Sequence, residues 1–107
     1  MRVLVALTIG LSGGLSVGSA MAQGLAPVDA INRCESFVES AMRPEFSASF
    51  KHPYKVVCYF GLIDDDVAED HHGVCARLSA QFAPSHRVIA EYMCTGAYEA
   101  HLSATGR

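Results

Sequence analysis

The sequence predicts a mainly α, disulfide-stapled domain of three or four short helices, with one short strand pair as a possible addition. Three observations carry that reading. Apolar residues recur at three- and four-residue intervals over several long segments. Four cysteines follow an N-terminal segment built like an export signal. The chain beyond that segment is short enough for one domain. An α+β domain with two or three strands is the alternative, resting on a central run of aromatic and β-branched residues.

Residues 1–22 read as a secretory signal peptide. Arg2 and the amino terminus supply a short positive region, and residues 3–17 form an apolar stretch interrupted by Gly10, Gly13 and Gly14. Ala20-Met21-Ala22 fits the small-x-small pattern of a cleavage site, leaving Gln23 as the first residue. The apolar run of about 15 residues is shorter than the ~20 needed to span hydrocarbon, which favours cleavage over a membrane anchor. No cysteine follows the small residues, so a lipid anchor is not indicated. Residues 23–107 then form a single small exported domain, periplasmic or secreted, with no membrane attachment.

Loss of Arg2 with the leader takes the formal charge from −3 to −4. A mildly acidic domain has no electrostatic attraction for nucleic acid or an anionic membrane. A chain of this size buries only ~60–65% of its unfolded surface, so its core is marginal. Cys34, Cys58, Cys75 and Cys94 are even in number in a short, exported chain, which predicts two disulfides. Closing a loop from Cys34 to Cys58 is worth about 3.5 kcal/mol by chain entropy. Each half of the chain carries a cysteine on an expected helix and a second one shortly before a glycine. That echo slightly favours Cys34–Cys58 and Cys75–Cys94 among the three possible pairings.

Element by element, the first helix is expected over 29–42. Asp29 caps it, and Ile31, Cys34, Phe37, Val38, Ala41 and Met42 form its apolar side. Pro44 restricts Arg43 and stops it. Residues 45–53 alternate weakly and end in a Lys51-His52-Pro53 turn, and residues 54–60 read as a strand, with a buried helix as the alternative for so short a run. Asp64, Asp65 and Asp66 favour a helix start, because carboxylates suit its positive end. Val67, His71, Val74, Cys75, Leu78 and Phe82 continue that helix, with a break expected near Gly73. Ser85 caps a further helix through 86–94, with Val88, Ile89, Tyr92 and Met93 on one side; Val88, Ala90, Tyr92 and Cys94 would alternate in a strand, but Ala, Glu and Met favour the helix. Gly96 bends or ends it, and 97–104 form a last short helix.

The one local constellation with metal-ligand chemistry is the run 64–72, which holds five carboxylates and two histidines. On a continuous helix Asp65, Glu69 and His72 share a face at spacings of four and three, and carboxylate and imidazole together suit a divalent metal ion. The competing reading is solvated charge at a helix start, with His71 packed on the apolar side. An EF-hand fails, since Glu69 and Cys75 stand where Gly and Glu are required. The cysteines lack the paired spacing of a zinc site or a redox motif. Met42, Met93 and His86 as copper ligands are outweighed by methionine packing.

No nucleophile elbow or phosphate-cradling loop is present, so no cofactor and no catalytic residue is assigned. The expectation is a non-enzymatic exported module that binds a protein, such as an inhibitor, an immunity factor or an accessory subunit. Tyr54, Tyr59, Phe60, Tyr92 and Tyr98 are the aromatic residues from which an exposed partner surface could be built. A divalent-metal-binding protein using the 64–72 run is the alternative.

Overall fold

The computed structural model describes residues 24–106, which fold into four helices and contain no strand. The expected leader and cleavage site lie outside the described residues. Helix α1 spans Pro27–Ala41, α2 Ala48–Leu62, α3 Val67–Ser79 and α4 Pro84–Ala104. The mainly α, two-disulfide domain expected from the sequence is the fold found.

Helix α1 begins two residues before Asp29, because Pro27 occupies the first turn, where a missing N–H costs nothing. Asp29 lies inside that turn and favours the dipole without capping. Ala30, Cys34, Val38 and Met42 are the residues it buries, at intervals of four. Ile31 and Ala41, expected on that side, are exposed.

Helix α2 corrects the turn at 51–53 and the strand at 54–60. Ser47 caps it, its hydroxyl accepting the Phe50 N–H at 3.1 Å. Pro53 sits inside the helix, in its second turn, and removes one i→i−4 backbone bond there. Tyr54, Val57 and Cys58 of that run, with Gly61 and Leu62 beyond it, bury themselves at helical spacing. Packing on three neighbouring helices outweighs the strand propensity of Val and Tyr.

Asp64–Asp66 form a turn in which the Asp66 N–H donates to Asp64 Oδ1 at 2.8 Å. Helix α3 then breaks at Asp70 (φ −153°, ψ 70°) rather than at Gly73. Asp70 accepts the Gly73 N–H at 3.0 Å and so caps a fresh helical segment beginning at His71. Helix α4 starts at Pro84 instead of at a Ser85 cap and runs unbroken through Gly96. Gly96 is tolerated because a side chain there would strike the ring of Phe37. Gly106, at φ 76°, terminates the chain's last turn in the left-handed conformation.

Cys34 is bonded to Cys58 and Cys75 to Cys94, with Cα separations of 5.8 and 5.6 Å. The first bridge joins α1 to α2 and lies among Ala30, Leu62, Val67, Ala97 and Tyr98. The second joins α3 to α4 against Gly61, where any Cβ would overlap the Cys94 sulfur. A second apolar cluster, Val38, Met42, Tyr54, Val57, Ala90 and Met93, fills the other end, and Phe37 touches both. Two disulfides mark the folded chain as one of an oxidising compartment. Among the described residues, no helix is long and apolar enough to cross a membrane.

Candidate functional site

The helices leave several large apolar side chains outside the core. The residues that fill the interior completely include Leu62, Val38, Val67 and the four cysteines, whereas Phe46, Phe50, Val88, Ile89 and Tyr92 are exposed. These five line one groove of about 430 Å³ between the α1–α2 connection, the start of α2 and the second turn of α4. Local structure places them there. The Met42-to-Ser47 connection delivers Phe46, the Ser47 cap starts α2 so that Phe50 stands one turn later, and Pro84 starts α4 so that Val88, Ile89 and Tyr92 share one side. The Phe46 and Phe50 rings lie 5.0 Å apart, and an aromatic ladder continues through Tyr54 to Phe82.

Met42 and Met93 contribute buried thioethers to the groove, and these reshape easily around an occupant. Arg43 is its one charged lining residue, and Glu45 neutralises it at 2.7 Å. The groove is therefore apolar and electrically neutral.

A polar ladder lies elsewhere, across α1 and α2. The Lys55 ammonium donates to Glu35 at 2.9 Å and to Glu39 at 2.6 Å, and Lys51, with its side chain 6% exposed, donates to Glu39 at 2.7 Å. Hydrogen bonds from Lys51 and then Lys55 hold the Glu39 carboxyl at about 2. Glu39 and then Glu35 raise the Lys55 ammonium in turn. On the opposite side of the sequence, the backbone N–H of Asp66 and then the Arg77 guanidinium lower the Asp64 carboxyl. Burial raises the Tyr54 phenol, whose oxygen lies 2.9 Å from His86 Nδ1.

The residues singled out by the 64–72 run do not share a helical face. Asp65 lies in the turn before α3, Glu69 precedes the break at Asp70, and His72 follows it. What approaches His72 is His71, with ring centroids 4.3 Å apart, and Glu99 of α4. Of the aromatic residues expected to build a partner surface, Tyr54 and Tyr98 are buried and Tyr59 is half-buried, leaving Phe60 and Tyr92 exposed. The groove residues Phe46 and Phe50 are hidden in the sequence by a strand-like alternation. Val88 and Ile89 do carry a signal, because with Tyr92 and Met93 they make the apolar arc of α4 wider than burial alone explains.

Comparison with families of known proteins, with curated proteins and with solved structures finds no match to this chain.

Proposed function

We propose that the chain is a small non-enzymatic module, exported to the periplasm or beyond the cell, that binds a protein through the Phe46–Tyr92 groove. The observation that carries this is a concentration of apolar surface. Among the described residues, five of the nine exposed large hydrophobic side chains line that single groove. Apolar surface gathered in this way, rather than scattered, marks an interaction site. An inhibitor, an immunity factor or an accessory subunit would each use such a surface.

The occupant is an uncharged apolar helix of a partner protein. The groove runs between helices, which suits a helix laid into it with anchors at three- and four-residue spacing. Its neutral lining matches an uncharged segment, since a charged one would lose water without gaining a counter-ion. Glu39, Lys55 and Asp64, whose proton affinities are displaced, are committed to ion pairs or turn hydrogen bonds outside this groove. That supports binding over acid–base chemistry at this surface.

Site-specific photo-crosslinking in cells tests the reading, with a photoreactive amino acid at Val88 and, for comparison, at Val28, which is 63% exposed but does not line the groove. The expected result is a discrete heterologous adduct from position 88 that maps to an uncharged apolar segment and disappears with Phe50→Asp. Adducts only to the chain itself would make the occupant a second copy. The same adducts from both positions, or none from position 88, would overturn the reading.

A further inference from the structure

The geometry points to a second site, independent of the groove: His71, His72 and Glu99 form an open three-ligand site for a transition-metal dication of zinc's class. Glu99 Oε2 lies 3.0 Å from His71 Nε2 and 3.5 Å from His72 Nε2. The three candidate ligand atoms all fall within 4.8 Å of one another. A tetrahedral zinc ion held at about 2.0–2.1 Å requires ligand atoms roughly 3.3–3.4 Å apart. The two separations to Glu99 bracket that value, so side-chain rotations at His72 and Glu99, both exposed, bring the three ligand atoms to a common ion.

Adjacent residues of a helix normally diverge by about 100° and do not converge on one point. Here the break at Asp70 places His71 and His72 in the first turn of a new segment, and the hydrogen bond from Gly73 to the Asp70 carboxylate fixes that turn. Both rings nevertheless reach Glu99 on α4. The His71 ring rests against buried Tyr98, with centroids 5.0 Å apart, which orients one ligand. The Cys75–Cys94 bridge lies one turn from His71 and ties together the same two helices, so their spacing is set before any metal arrives.

Two imidazoles and one carboxylate are borderline donors. They suit Zn²⁺ and its first-row neighbours, whereas Ca²⁺ and Mg²⁺ take oxygen ligands. The side chains of His72 and Glu99 are 69% and 53% exposed, so water or a donor from another molecule has access to the fourth position. Three protein ligands with an open position is the arrangement of reactive rather than purely structural zinc.

The test is a Zn²⁺ titration of the chelator-stripped, disulfide-intact protein by calorimetry, with histidine NMR recording which imidazoles respond. One equivalent is expected, with the His71 and His72 rings shifting. His71→Ala, His72→Ala and Glu99→Gln should each weaken binding by at least ~10-fold, as losing a ligand costs no less than losing its outer-shell support. Asp65→Asn and Glu69→Gln should leave it unchanged. Circular dichroism establishes that each variant is folded, and the NMR readout on the unsubstituted protein stands apart from any variant. Absence of saturable binding, binding indifferent to His71→Ala and Glu99→Gln, or shifts confined to His52, His86 or His101 would overturn the assignment.

Discussion

Replacing both cysteines of either bridge with alanine is the most informative perturbation of this fold. The bridges span 24 and 19 residues of sequence. In the chain-entropy model, releasing those loops in the unfolded state costs about 3.5 and about 3.3 kcal/mol. A domain of this length has a total stability of only ~4–12 kcal/mol. Either loss therefore removes a quarter of the stability or far more, and both together remove more than half. At ~4–8 °C per kcal/mol for a domain this small, each variant should melt roughly 14–28 °C below the oxidised protein. Urea unfolding followed by far-ultraviolet circular dichroism gives the free energies directly. The two variants should lie close together, since the loop lengths are similar. A loss under ~1 kcal/mol in both would refute the view that the cross-links carry this core. A gap above ~2 kcal/mol between them would show that native packing around one bridge, not chain entropy, sets its value.

Three further outcomes follow from the packing and the ion pairs. Gly61→Ala should cost about 1–3 kcal/mol in urea unfolding, because the new methyl overlaps the Cys94 sulfur; a neutral result would mean that α2 can move off the bridge. Lys51→Met should stay within ~1 kcal/mol of the parent, since an apolar stem replaces a buried ammonium while Glu39 keeps Lys55; Glu39→Ala, which strands that ammonium, should be the more damaging change. Glu39 titrates at about 2 in the folded chain against 4.5 for the free side chain, so its contribution is complete above the unfolded value and is lost as pH falls toward 2. Asp64 acts in the same direction, and Glu39→Gln should flatten the acid side of a stability–pH profile, which an unchanged slope would contradict.

What the sequence discloses is the periodic part of the fold. Cys34 and Val38 in α1, and Val74, Cys75 and Leu78 in α3, stand at helical spacing and are buried or half-buried as that spacing requires. Helix α2 is obscured because Pro53 reads as a turn and the residues around Val56, Val57 and Tyr59 suit a strand locally, while the packing that decides the matter is nonlocal. The break in α3 is misplaced for a different reason. Glycine cost suggests Gly73, but the Asp70 side chain caps the segment three residues earlier and uses the Gly73 N–H to do it. Glu99 is invisible from the 64–72 run because its approach to His71 and His72 crosses between two helices. Periodicity within one helix contains no information about that contact.

The distribution of side-chain size ties the bridges to the surface. None of the five phenylalanines is buried: Phe37 and Phe82 are half-covered, and Phe46, Phe50 and Phe60 are exposed. The interior is instead built from alanine, valine, cystine, one leucine, two methionines and two tyrosines. A small core of this kind gives up much of the ~1.5–3 kcal/mol that each fully buried large side chain supplies. The cross-links offset that deficit by acting on the unfolded chain, which leaves the large apolar residues available outside. Phe50→Ser, which removes one exposed ring from the groove and nothing from the core, should therefore leave the helices intact while abolishing the position-88 adduct. A folded Phe50→Ser protein that kept the adduct would separate the groove from binding.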